Sequence, residues 1–213
     1  MDVVAINHRG KSLLLDFKKV FMTTKGQSPE ESKAFNEKEG GNGQKDGKDL
    51  HGLLESGLKD IYSAEKQLVE ALPQVAQAVD SDDLEEAINE HLDETKKQVT
   101  RLEKIFERLG ISKTDSTKCV AMQGLVEETK KTIQEFQRSP VRDSALIISC
   151  QKIEHYEIAA YGSLCELADV LGERRILDLL EQTLQEEEDA DHALTDIAQD
   201  VNDEAFELSE ENR

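Results

Sequence analysis

From about residue 50 onward, apolar side chains recur at three- and four-residue steps, and in four stretches that helical stripe is broken at mid-length by carboxylates. The interruptions are Glu65; His91 with Glu94; Glu154 with Glu157; and Glu187 with Asp191. A carboxylate taken out of water costs several kcal/mol unless a cation or hydrogen-bond donor compensates it. One such residue is commonly a boundary side chain with access to water, and a lone histidine is more often a hydrogen-bonded core or surface group than a ligand. Four matching interruptions, each near mid-helix, call for a common explanation, and a shared metal site inside a helical bundle supplies it.

The stripes predict the elements. A first long helix spans about Leu50 to Val79 on Leu58, Ile61, Tyr62, Leu68, Leu72 and Val75, with Glu65 on the stripe and Pro73 as an expected kink. Ser81-Asp82-Asp83 caps a second, which Gly110 closes. A shorter helix at about Lys118 to Phe136 is stopped by Ser139-Pro140. Long helices follow at about Arg142 to Leu171 and Arg174 to Val201. The two halves repeat one plan, a helix with a central glutamate, a tight turn, and a helix with a pair of ligand-type residues, joined by a long crossover. The expected fold is all-α: a four-helix bundle with an additional short helix in the crossover between helices 2 and 3.

Around this bundle, residues 1–22 are a segment that could be a weak hairpin or a short helix. Residues 23–49, rich in Lys, Glu, Gly, Asn and Ser, read as a flexible linker, residues 50–201 as the bundle, and residues 202–213 as a frayed acidic tail. The 46 Asp and Glu against 26 Lys and Arg give a formal net charge of −20, which repels nucleic acid and anionic membranes and makes cations the natural small partners. Three cysteines, Cys119, Cys150 and Cys165, form neither an even disulfide set nor a Cys-x-x-Cys pair. With no apolar run of membrane-spanning length and an N-terminus interrupted by charges, they point to the cytoplasm.

Residues three or four apart on a helix share a face, so His91 with Glu94, and Glu187 with Asp191, can each aim at one point. Oxygen ligands with an occasional imidazole suit iron or manganese better than zinc. The expected ligands are Glu65 and Glu154 as terminal or bridging groups, Glu94 and Glu187 as bridges, and His91 and Asp191 completing the shell, with Glu157 either joining them, pairing with Lys152 or facing water. His155 falls roughly 100° around the helix from Glu154 and reads as a supporting or surface group. Tyr62, Tyr156 and Tyr161 lie near the same level and can hydrogen-bond carboxylates. Of Glu186, Glu187 and Glu188, only one can point fully inward.

Three blocks, Leu58-Lys-Asp-Ile-Tyr-Ser-Ala-Glu-Lys-Gln-Leu68, His91-Leu-Asp-Glu-Thr-Lys-Lys-Gln-Val-Thr-Arg-Leu102 and Glu154-His-Tyr-Glu-Ile-Ala-Ala-Tyr161, closely resemble the bacterial YciE/YciF ferritin-like family over about residues 51–200. The resemblance implies a ferritin-like bundle, usually dimeric, with a di-iron centre, a link to stress responses and ferroxidase activity. Where bacterioferritins carry Glu-x-x-His on the second and fourth helices, this chain has Glu94-x-x-Lys97 and Glu187-x-x-Ala190, and His91 and Asp191 are the nearest replacements.

The expectation is therefore a cytoplasmic homodimer that binds two iron ions, or alternatively manganese. It would oxidise Fe(II) with O2 or peroxide, with no catalytic residues beyond the ligands and no nucleic-acid or membrane partner. Two competing expectations are a structural or partner-binding bundle whose acids pair with Lys66, Lys97 or Arg101, and a manganese enzyme that disproportionates peroxide.

Overall fold

The computed structural model describes residues 3–6, 12–15, 49–113 and 118–211, and the chain divides into units of residues 1–43 and 44–213. In the first unit, β1 (Val3–Ile6) and β2 (Ser12–Leu15) pair antiparallel, with Val3 opposite Leu15 and Ile6 opposite Ser12. Of the two forms open to this segment, the hairpin is adopted. Four-residue runs are too short to nucleate a helix, whereas an antiparallel ladder satisfies their backbone groups at once. The expected linker, apart from Asp49, lies outside the described residues.

The second unit is helical: α1 (Leu50–Ala76), α2 (Asp82–Leu109), α3 (Val120–Glu135), α4 (Pro140–Leu171) and α5 (Arg174–Glu211). Local chemistry sets most boundaries. The Asp49 carboxylate accepts the Gly52 N–H at 2.8 Å to start α1, and the Ser81 hydroxyl accepts the Leu84 N–H at 3.3 Å to start α2. Gly110 (φ 68°) and Gly172 (φ 77°) end α2 and α4 in the left-handed conformation that glycine adopts without a Cβ penalty.

Three boundaries differ from the sequence expectation, the first being that α1 ends at Ala76, three residues before Val79. Pro140 opens α4 rather than ending α3, because a first-turn residue needs no N–H partner inside the helix. Helix α5 continues ten residues beyond Val201, through the stretch read as a frayed tail, because nothing from Asn202 to Glu211 breaks a helix. Val201 is nevertheless the last buried side chain of α5. The extension is helical but adds nothing to the core.

Each long helix packs against two others in the ring α1–α2–α5–α4, while α3 lies along α4 and α1. This is the ferritin-like plan, a four-helix bundle with the extra helix in the long crossover. Apolar residues including Leu58, Leu68, Leu84, Ile105, Phe106, Leu146 and Leu180 form one core that runs through the ring. Polar anchors fix the ring's geometry. The buried Asp143 carboxylate at the start of α4 accepts the backbone N–H groups of Asp80 and Ser81 at 2.8–3.0 Å, and Arg142 donates to the Ala78 carbonyl, so α4 grips the turn between α1 and α2. The crossover helix is held by Cys119, whose N–H donates to Ser63 Oγ at 2.9 Å and whose carbonyl accepts Gln67 Nε2 at 3.1 Å.

Candidate metal centre

At mid-height of the ring, each of the four long helices turns at least one buried ionisable side chain inward. Helix α1 presents Glu65, α2 His91, α4 both Glu154 and Glu157, and α5 Glu187. Glu65, Glu157 and Glu187 are completely buried, Glu154 is 2% exposed and His91 is 8% exposed. Donor atoms of His91, Glu154, Glu157 and Glu187 lie within 4.8 Å of one another. His91 Nε2 is 3.5 Å from Glu154 Oε1 and 3.9 Å from Glu187 Oε2. Glu65 stands beside this set, close enough for its charge to act on Glu157 and Glu187.

The electrostatics follow from burial first and mutual repulsion second. Burial pushes Glu154 up to about 8; the adjacent Glu187 carboxyl pulls the other way, and the charges of Asp191, Glu65 and Glu94 add to the rise. Burial likewise raises Glu65, Glu157 and Glu187 well above the usual carboxylate range. Glu187 repels Glu65, Glu65 repels Glu157, and Glu154 repels Glu187. Two of the cations named as alternative partners, Arg101 and Lys66, are engaged elsewhere. Arg101 donates to both Glu186 oxygens at 2.8 Å and to the Thr183 hydroxyl, and Lys66 sits 5.6 Å above the Tyr62 ring. Arg101 moderates the rise of Glu65 only as a nearby charge.

What remains is a set of buried polar atoms with no protein partner among the described residues: Glu65 Oε2, both nitrogens of His91, Glu154 Oε2, and both oxygens of Glu157 and of Glu187. Buried carboxylate oxygens in this number are otherwise rare in a folded core. The donor set, carboxylates with one imidazole, is that of hard to borderline divalent ions such as iron or manganese. These residues fit a metal site.

The remaining sequence candidates lie at the edge. Glu94 is half-buried and borders a cavity beside His91; three residues on from His91, it is carried about 60° around α2 from the inward direction. Asp191 is partly buried, and His155 Nε2, on an exposed ring, donates to its Oδ2 at 3.2 Å while Oδ1 is buried without a protein partner. Glu157, which had Lys152 as its alternative, is completely buried, while Lys152 pairs with Glu128 at 2.6 Å. Of the glutamate run, Glu187 alone is fully inward; Glu186 is turned to Arg101.

Each tyrosine finds a carboxylate. Tyr161 donates to Glu65 Oε1, Tyr156 to Asp60 Oδ2 at 2.8 Å, and Tyr62 to Glu103 Oε1 at 2.9 Å. The Tyr156 and Asp60 pair extends to the Cys119 thiol, which donates to Asp60 Oδ2 at 3.1 Å. Sequence reading missed this network, because Asp60 interrupts no apolar stripe and Cys119 lies in the crossover. The only advance signal was the level shared by Tyr156 and the ligands.

Comparison with known proteins agrees with this architecture. The family described as Domain of unknown function (DUF892) matches residues 49–207. Protein YciF of Escherichia coli (strain K12) is 47% identical over 141 residues, which cover 66% of this chain and 85% of YciF. The crystal structure of the E. coli stress protein YciF matches with a TM-score of 0.71 and 42% identity, over 73% of this chain and 98% of that one. YcfI from Rhodopseudomonas palustris matches with a TM-score of 0.68 and 38% identity, over 71% and 96% of the two chains.

Proposed function

Since the chain belongs to the DUF892 family, with YciF among its relatives, we propose that it is a ferritin-like stress-response protein that holds two iron ions in the bundle and acts as a ferroxidase, oxidising Fe(II) with O2 or peroxide. The observation that carries this reading is the cluster of buried, unpartnered donor atoms on His91, Glu154, Glu157 and Glu187. These four residues would hold the ions, with Glu65, Glu94 and Asp191 completing the set. Bound there, the iron pair would supply the one-electron redox steps that the side chains themselves cannot.

The chain's own residues do the rest. Carboxylates that are protonated in the metal-free bundle release their protons as cations enter, so binding is favoured by rising pH. Several carboxylates in one buried layer stabilise the higher charge of an oxidised ion more than that of a reduced one, which favours oxidation. The Tyr161 hydroxyl holds Glu65 Oε1 in place, leaving Oε2 as the free donor. Apolar residues above and below the layer close it off along the bundle axis. The reading includes a homodimer and a cytoplasmic setting, the latter supported by three free, buried thiols. Among the described residues, no helix is long and apolar enough to cross a membrane.

The test is metal analysis of the full chain purified without chelator, followed by oxygen uptake on addition of Fe(II). We expect close to two equivalents of metal and rapid uptake, both lost in the Glu65→Ala, Glu154→Ala double variant. Metal well below one equivalent, unchanged in that variant, would return the chain to a structural bundle. Oxygen release from peroxide by manganese-loaded protein, without Fe(II)-dependent uptake, would assign the disproportionation chemistry instead.

A further inference from the structure

A cavity of about 180 Å³ opens between α2 and α5 and reaches the candidate metal centre. Its inner wall is made by the buried side chains of Leu72, Ile88 and Leu194. At the inner end stand His91 and Glu154, both more than nine-tenths buried, with His91 Nδ1 and Glu154 Oε2 lacking a protein partner among the described residues. At the mouth are the exposed carboxylates of Glu90 and Asp189.

This space is far larger than O2 or peroxide requires, since a water molecule's share of liquid volume is about 30 Å³. Its walls are mainly apolar, so water lying along Leu72, Ile88 and Leu194 would lack most of its hydrogen bonds. A dry engineered cavity of about 150 Å³ accepts benzene. From the volume, the apolar wall and the two unpartnered polar atoms at one end, we propose that the cavity is a binding site for a small neutral organic molecule of roughly monocyclic aromatic size. The guest's apolar body lies against Leu72, Ile88 and Leu194, and any hydroxyl it carries points to His91 and Glu154. Anionic guests are excluded by the acidic mouth and by a net charge of −20. The role of such a guest as a partner of the metal centre rests on the function proposed above; its binding in the cavity does not.

Toluene, phenol and benzoate are the probes, titrated into full-length methyl-labelled protein in metal-free and iron-loaded forms and followed by NMR. Toluene and phenol are expected to shift the methyl resonances of Leu72, Ile88 and Leu194 with millimolar or tighter dissociation constants, leaving the buried Leu54 and Ile176 unmoved. Benzoate should bind at least about tenfold more weakly. Filling the cavity with Ala190→Phe should weaken toluene binding by about tenfold or more. If that variant loses its helical circular dichroism, Ala193→Leu at the mouth is read in its place.

Absence of shifts up to the solubility limit, equal binding of benzoate, or unaltered binding in a folded filling variant would overturn the proposal. Protein that binds toluene but takes up no iron keeps the pocket and removes the ferroxidase. Protein that oxidises Fe(II) but gives no methyl shifts does the reverse.

Discussion

Tyr161 on α4 donates its hydroxyl proton to Glu65 Oε1 on α1, a buried contact across 96 residues of sequence that ties two helices together beside the carboxylate cluster. Replacing Tyr161 with phenylalanine keeps the ring's packing and removes the donor, leaving Glu65 without a protein partner on either oxygen. The expected cost to the metal-free protein is about 1–3 kcal/mol, read as a lower urea midpoint at unchanged slope. A Tyr161→Phe variant as stable as its parent would mean that the bond contributes nothing to folding.

The raised carboxyl groups make the stability of the metal-free chain pH-dependent with a definite sign. Glu154 moves from an ordinary 4.5 up to about 8, chiefly through burial, so between those values the folded chain binds more protons than the unfolded one and stability falls as pH rises. Each pH unit inside this window removes up to about 1.4 kcal/mol per titrating group. Thermal melts of chelator-treated protein should therefore show a lower Tm at pH 8 than at pH 5, with added Fe(II) or Mn(II) raising the pH 8 value most. A metal-free Tm that rises steadily from pH 5 to pH 8 would contradict neutral, protonated carboxyls in the core.

Two substitutions on diagonally opposite helices of the ring separate the centre from its rim. Glu157→Gln removes an inward, fully buried donor, whereas Glu94→Gln alters a half-buried side chain at the cavity wall. Metal affinity should fall in Glu157→Gln by more than the roughly 10–100-fold that loss of a supporting hydrogen bond costs, and by much less in Glu94→Gln. Competitive titration against a chelator measures both. The opposite order would move the site toward α2.

Asp143 offers a control on the fold alone. Its carboxylate accepts two backbone N–H groups at the α1–α2 turn, away from the carboxylate cluster in the sequence of every helix. Asp143→Ala should cost about 1–3 kcal/mol for each donor left buried and lower the Tm, while metal stoichiometry at 20 °C below the new Tm stays that of the parent. Loss of metal in a variant that remains folded would show that the turn also sets the geometry of the centre.

Much of the architecture was legible because its causes are local. Ser81 carries its capping group within three residues of the N–H group it accepts, and Gly110 ends its helix through its own φ angle. The α5 extension was not legible from the apolar stripe, because past Val201 the helix persists on propensity with no core to mark it. The hairpin at Val3–Ile6 and Ser12–Leu15 stayed open for the opposite reason, as its runs are too short to show a period. Of the seven candidate ligands, Glu65, His91, Glu154, Glu157 and Glu187 are buried at one level, while Glu94 and Asp191 sit at its edge.

By itself the sequence determined that there would be four long helices, where most of them start and stop, and at what height along each the oily stripe gives way to acid. Those properties depend on residues within a few turns of one another, and the helical period alone reads them. Only the tertiary structure decided that Glu157 faces the shared centre while Glu94 turns to a cavity, and that Arg101 takes Glu186 rather than an acid of the cluster. Residues three apart both lie within about 60° of a helix's inward face, and which one meets the other helices depends on how far each helix is rotated about its own axis. That rotation is set by side chains interlocking across the whole ring.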